Sequence, residues 1–295
     1  MPKKSTNVIT KGPFLFGLAM LISGSVGLLV RLIDLSPINI VFFRCVFGAL
    51  TLGIYILVFK KSAMRIPRSD LLPILGCGFV LVANWIFLFA AFKQTSITVA
   101  VSIYYLAPVF VTLYGLFFLN QTGTKLIILG IFLAFFGAAL VSGITIEDIL
   151  SLNILGASYA FLAAVFYAAL ILLSKNVKYT DSAMTSLVQT TVGALILSFF
   201  ANFEIEFADL NWGLVVAIGA VHTALLYILF FHGIRSSPIL LVVLLGFIDP
   251  LFAILLDRFI LGSQISSIQL LGVVCIITAL ALKAFSENKT EQLTE

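Results

Sequence analysis

ITVAVSIYYLAPVFVTLYGLFFL, residues 97–119, and ILLVVLLGFIDPLFAILLDRFIL, residues 239–261, decide the fold of this chain. The first carries no charge from end to end and exceeds the roughly 20 apolar residues that a helix needs to cross a bilayer. The second repeats it at an offset of 142 residues: Pro108 matches Pro250, Phe110 matches Phe252, Phe117 matches Phe259 and Leu119 matches Leu261. Further along, Gly130 matches Gly272, and upstream Lys93 corresponds to Arg235. Apolar coincidences are cheap in such a chain. The prolines and glycines weigh more, because a helix interior tolerates proline poorly.

The remaining sequence has the same character. Of 295 residues, 61% are hydrophobic and only 10% charged, whereas soluble domains carry roughly 25% charge. A soluble protein of this size could not hide so much apolar surface. Ten apolar segments emerge, at 13–32, 37–59, 71–92, 97–119, 125–142, 154–174, 182–201, 210–231, 238–257 and 264–284. They are solidly apolar and lack the alternation of membrane-spanning strands. The run from Pro13 to Leu32 is too long for a signal-peptide core and reads as a retained helix.

Lysine and arginine set the orientation. With the N-terminus in the cytoplasm, thirteen of the 17 fall on that side, among them Lys60, Lys61, Arg65, Arg68, Lys175, Lys178 and Arg235. Three, Arg31, Lys93 and Arg258, fall outside, and Arg44 lies within a span. Glu147, Asp148, Glu204, Glu206 and Asp209 go to outer loops. The net charge of +4 is therefore no nucleic-acid signal. Cys45, Cys77 and Cys275 lie in apolar segments without metal-site spacing.

The expected fold is an all-α integral membrane protein of ten transmembrane helices, N-in and C-in. Five helices per half is an odd number, so the second half must be inverted relative to the first. Inverted repeats recur in secondary transporters, with a central cavity between the repeats. The expected layout is a cytoplasmic segment 1–12, a first repeat 13–142, an outer linker 143–153, a second repeat 154–285 and a cytoplasmic tail 286–295.

The stretch Asn84-Trp85-Ile86-Phe87 through Ala107-Pro108-Val109-Phe110 to Gly130 resembles the EamA domain of the drug/metabolite transporter superfamily. So does His232-Gly233-Ile234 through Asp249-Pro250-Leu251-Phe252 to Gly272. Arg44, in Phe42-Phe43-Arg44-Cys45, matches an arginine these proteins often carry in their second helix. The resemblance implies two EamA units, no catalysis, and transport of small metabolites such as amino acids across a bacterial inner membrane. Where EamA units often have a glutamate after the fourth and ninth helices, this chain has Gln121 and Ser263.

Ionisable groups at membrane depth cost about 2.5–3.5 kcal/mol on insertion scales and face protein or a wet cavity. Arg44 is a candidate for binding a carboxylate or phosphate through forked hydrogen bonds. Asp249 is a candidate for binding an amine, carrying a proton or pairing with Arg44. His222 is a third titratable group near mid-span. Asn84, Trp85, Tyr104, Tyr105, Tyr167 and Tyr227 supply stacking surfaces and hydrogen bonds for a small amphipathic ligand; Gln189 lies at compatible depth. Pro108 and Pro250 are candidate hinges, since each removes a helix hydrogen bond. No Walker motif or cofactor site is present. One intramembrane acid suits facilitated diffusion or exchange with a single proton. The expected partners are the bilayer, a small-molecule substrate and protons, with the chain acting as monomer or homodimer. A lipid or lipid-linked sugar flippase is the alternative, and a membrane-embedded enzyme a more distant one.

Overall fold

The computed structural model describes residues 7–95, 97–119, 125–150, 153–202, 210–260, 262 and 264–292. Gln121, Ser263, Glu204, Glu206 and Asp209 lie outside the described residues. Among those described, all regular structure is helical. Lipid offers the backbone no hydrogen bonds, and a helix satisfies its own. Among the described residues, seven helices are long and apolar enough to cross a membrane: Lys11–Val30, Ile38–Phe59, Arg68–Gln94, Val99–Phe118, Ile154–Ser174, Trp212–Arg235 and Ile239–Leu256. Three further apolar helices, Ile128–Val141, Ser182–Leu197 and Ser267–Leu282, are shorter. Large apolar side chains such as Phe117 and Phe136 lie exposed along them, as an integral membrane protein requires.

Several segments are interrupted. The first comprises α1 (Asn7–Gly24) and α2 (Val26–Leu32), with a turn at Ser25. α3 (Pro37–Phe59) begins with Ser36 as its cap, whose hydroxyl accepts from the Asn39 N–H, and with proline in the first turn. A short 3₁₀ turn, Lys61–Met64, leads to α4 (Arg68–Gln94).

The decisive motif is also broken: α5 (Ile97–Tyr104) and α6 (Leu106–Phe118) meet at Tyr105. Its echo breaks at Phe247, 142 residues on, between α13 (Ile239–Gly246) and α14 (Ile248–Phe259). The cause is the same in both. Pro108 and Pro250 lack the N–H that would bond the carbonyl four residues back, and their rings crowd it. Those carbonyls belong to Tyr104 and Gly246, immediately before the breaks.

α7 (Lys125–Val141) is followed by a short exposed helix, α8 (Ile146–Leu150), within the expected outer linker. α9 (Ile154–Ser174) and α10 (Ser182–Leu197) are uninterrupted. Next come α11 (Trp212–Gly219), a π turn (Ala220–Leu225) and α12 (Leu226–Arg235), which together make one span. α15 (Ser267–Gln292) continues into the polar stretch expected as a tail.

The chain forms two compact units, each discontinuous in sequence. Unit 1 holds Met1–Trp85 and Ala169–Ser237; unit 2 holds Ile86–Ala168 and Pro238–Glu295. In unit 1, α3 packs on α10 and α1 on α12. Asn39 hydrogen-bonds Asn202 at one end of α3, and Lys60 pairs with Asp181 at the other. α3 and α10 therefore run antiparallel. Their core is Leu52, Ile56, Ala183 and Ala224. Glycine permits the α1–α12 approach, since a Cβ on Gly233 would lie 2.6 Å from that of Phe16.

In unit 2, α7 packs on α15. A Cβ on Gly130 would meet the Ala279 carbonyl oxygen at 3.3 Å, and one on Gly137 would meet that of Gly272 at 2.7 Å. These helices also run antiparallel. The contacts exchange roles under the repeat offset, because Gly272 is the echo of Gly130 and Ala279 the echo of Gly137. Small residues let the two backbones touch, which is how helices gain contact in lipid.

Two predictions follow from this packing. Gly272→Val puts side-chain atoms against the Gly137 carbonyl oxygen, 2.5 Å from the Cβ position. It should cost about 1–3 kcal/mol by overpacking, whereas Gly53→Ala, with nothing within 4 Å, should cost far less; thermal unfolding of the two variants in detergent checks this. The second concerns Lys175, which follows α9. Burial pushes its ammonium down to about 8, so the unfolded chain holds more protons from about pH 8 to the ordinary lysine value of 10.5. Stability contributed at this residue should rise with pH through that window, and Lys175→Met should remove the rise in unfolding curves measured against pH.

Candidate substrate-binding residues

The π turn organises the polar interior of unit 1. A π turn widens the helix and shifts carbonyls out of the regular ladder. Its Thr223 hydroxyl donates to the Ile218 carbonyl, 3.0 Å away and five residues back. That spends the hydroxyl proton and leaves the oxygen free to accept. Arg44, on α3, uses it: Nε donates to Thr223 Oγ1 at 3.1 Å, and Nη2 donates to the His222 carbonyl at 3.0 Å. The guanidinium also lies over the Trp85 ring, 5.4 Å from its centroid. A hydroxyl, a carbonyl and an indole thus hold the cation. No carboxylate is among these described partners.

A guanidinium has five N–H donors, and these two bonds leave three without a partner among the described residues. A charge at membrane depth without a counter-charge is costly, and the cation–π contact with Trp85 offsets part of that, up to about 2 kcal/mol where desolvated. The arrangement is suited to an anionic group that presents two oxygens side by side.

Trp85, His222 and Tyr227, also selected from the sequence, adjoin this centre. Trp85 packs at 6.5 Å from Tyr227, its counterpart at the 142-residue offset. Tyr227 stacks on Phe231 at 5.7 Å. Gly193 on α10 gives the Trp85 ring room, since a Cβ there would be 3.6 Å from the ring. Asn84 is fully buried beside Trp85 in sequence. His222 Nε2 lies 2.9 Å from the hydroxyl of Ser25, at the break between α1 and α2. The Ser25 hydroxyl also lies 2.8 Å from the Ile22 carbonyl, so the imidazole ties the π turn to that break. Gln189 is buried on α10, and both its amide atoms lack a hydrogen-bond partner among the described residues.

Unit 2 holds the remainder. Tyr104 and Tyr167 stack at 5.3 Å, with planes 23° apart. Tyr105 forms the break after α5, within electrostatic reach of Asp249 and Tyr167. Asp249 is in the first turn of α14, where a helix N-terminus favours negative charge. Pro108 and Pro250 are both buried, in the first turns of α6 and α14. Ser102 and Ser142 approach to 2.5 Å. The residues named from sequence thus form two groups: Arg44, Asn84, Trp85, His222 and Tyr227 in unit 1, and Tyr104, Tyr105, Tyr167, Asp249 and the two prolines in unit 2.

Sequence reasoning missed a third polar group, at one end of unit 1. Asp70, in the first turn of α4, is buried. Its Oδ2 accepts from the Tyr179 N–H (2.8 Å), the Thr180 N–H (2.7 Å) and the Thr180 hydroxyl (2.9 Å). Arg235 donates to the Thr180 carbonyl and the Thr185 hydroxyl, both at 2.7 Å. Lys60 pairs with Asp181 at 2.7 Å. That bond raises the Lys60 ammonium above its usual range. Burial works against the Asp181 carboxylate, but the Lys60 and Ala183 N–H bonds outweigh it and hold it below its usual range. Lys175 donates to the Ser237 carbonyl. The available signal was Asp70 in a helix first turn, a place where acids act as caps.

Comparison with known proteins agrees with this architecture. The model of the EamA-like transporter family matches residues 10–143 and again 154–284. The chain is 38% identical over 286 residues to Uncharacterized transporter YxxF of Bacillus subtilis (strain 168), spanning 95% of this chain and 90% of that one. It is 25% identical over 267 residues to an Uncharacterized transporter of Archaeoglobus fulgidus, spanning 90% and 93%. A solved crystal structure shares the fold with a TM-score of 0.78 at 16% identity, over 92% of this chain and 96% of that one. Matched by the family model over both halves, the chain belongs to the EamA-like transporter family.

Proposed function

We propose that the protein is a secondary transporter or facilitator of small metabolites that carry a carboxylate, amino acids and related compounds foremost. The observation that carries this reading is Arg44. It is a cation at membrane depth, fixed by Thr223, the His222 carbonyl and Trp85, and among the described residues it has donors to spare and no acid partner. A scaffold arginine would be expected to spend its donors on protein. This one keeps part of its fork for a ligand. Asp249 serves a cationic group or a single proton, with Tyr105 beside it.

Alternating access is the mechanism. The antiparallel course of the repeat mates α3 and α10, and of α7 and α15, supports an inverted second half. Ten spans, with both termini in the cytoplasm of a bacterial inner membrane, agree with the lysine and arginine bias. The breaks at Tyr105 and Phe247 put Pro108 and Pro250 where a helix can bend at little cost.

Reconstituted protein should show saturable uptake of labelled amino acids into sealed liposomes. Arg44→Ala should raise KM roughly 10–100-fold, the equivalent of a lost charge-assisted hydrogen bond, and Arg44→Lys should recover only part of it, since an ammonium lacks the fork. An unchanged KM in Arg44→Ala would remove Arg44 from the site. Absence of uptake of any water-soluble solute by folded protein would favour the flippase reading. In the same assay Asp249→Asn should abolish the pH dependence of uptake; a variant as pH-dependent as the parent would leave Asp249 an amine ligand without a proton role.

A further inference from the structure

The end of unit 1 that holds Asp70 and Asp181 carries more cations than its acids can pair. The two acids are already used. Asp70 Oδ2 takes three hydrogen bonds from residues 179 and 180. Asp181 Oδ2 takes Lys60, and its Oδ1 accepts from the Ala183 N–H at 2.8 Å. Lys61, Arg65, Arg68 and Lys178 remain, all exposed, and no described acid pairs with them.

The same bonds bring these four together. The Asp70 contacts hold the start of α4, with Arg68, against the segment containing Lys178. The Lys60–Asp181 pair brings the 3₁₀ turn, with Lys61, to the same segment. Arg65 lies between that turn and α4. The surroundings are apolar as well as cationic: Phe59 is 75% exposed, Leu72 79% and Tyr179 73%. Phe59 ends one span and Leu72 opens the next, so this rim faces the hydrocarbon edge. Tyrosine is typical of the headgroup level.

We propose that this surface binds the phosphate groups of anionic phospholipids. The four cations face the headgroup phosphates, while Phe59, Leu72 and Tyr179 contact the glycerol and upper acyl chain. A free phosphate ion would use the charges and leave the apolar rim idle. A juxtamembrane cluster of this size is what an anionic leaflet attracts.

The test uses purified full-length protein in neutral detergent, with its unfolding temperature followed as phosphatidylglycerol, phosphatidylcholine or inorganic phosphate is added. Phosphatidylglycerol should raise the unfolding temperature saturably, and the other two should not. The phosphatidylglycerol concentration giving half the effect should rise roughly fivefold per cation removed in Lys61→Gln, Arg65→Gln, Arg68→Gln and Lys178→Gln, singly and combined. Lys93→Gln, in unit 2, should match the parent. An unaltered response in the combined variant would overturn the proposal. So would equal stabilisation by phosphatidylcholine, which marks an apolar effect, or by inorganic phosphate, which marks a free-anion site. Should the combined variant fail to fold, salt decides on the parent protein: the effect should weaken as salt screens it, and a salt-independent response refutes a phosphate contact.

Discussion

Lipid supplies no hydrogen bonds, and that constraint governs this structure. Every backbone N–H and carbonyl at depth must find a partner in the protein. Unbroken helix is the default answer, and each departure has a local compensation. At Pro108 and Pro250 the missing donor is on the proline, and the chain turns immediately after the carbonyl it would have served. At the π turn the compensation comes from another helix, since Arg44 supplies N–H donors to the His222 carbonyl and the Thr223 hydroxyl. The cation is affordable at that depth because the turn offers it acceptors, and the turn is tolerable because the cation fills them.

The two halves keep the repeat where backbone contact is closest and abandon it where charge is placed. The reciprocal glycine contacts of α7 and α15 and the paired breaks at Tyr105 and Phe247 obey the 142-residue offset. Trp85 and Tyr227, offset mates, pack against each other. Arg44, by contrast, corresponds to Ser186, and Asp249 to Ala107. α4 is a continuous helix where its mate contains the π turn. Packing against a like partner preserves symmetry, whereas an isolated charge does not require it.

Much of the fold was legible because its signals are local. Apolar runs of span length marked the helices, and the recurrence of proline and glycine marked the repeat. Proline also located the breaks after Tyr104 and Gly246. The turn at Ser25 and the π turn at Ala220–Leu225 have no proline to announce them. They depend on each other through the Ser25–His222 contact, nearly 200 residues apart in the chain. The candidate residues were legible as a list but not as an arrangement: Arg44 and Asp249 looked alike, as ionisable groups at depth, yet they belong to different units. Asp70, Asp181 and Arg235 looked like ordinary loop charges, because what distinguishes them is burial and the backbone groups they hold.

The interleaving of the units bears on how the chain is made. Unit 1 ends at Ser237, so all of its helices have emerged before the last three are synthesised. Unit 2 cannot close until α15 arrives, because the face of α7 bearing Gly130 and Gly137 has its partner more than 100 residues downstream. Until then the groove at Gly130 and Gly137 lacks the backbone that fills it in the folded chain. Assembly is therefore ordered by translation: the helices of one unit can pack early, while the other waits on α15.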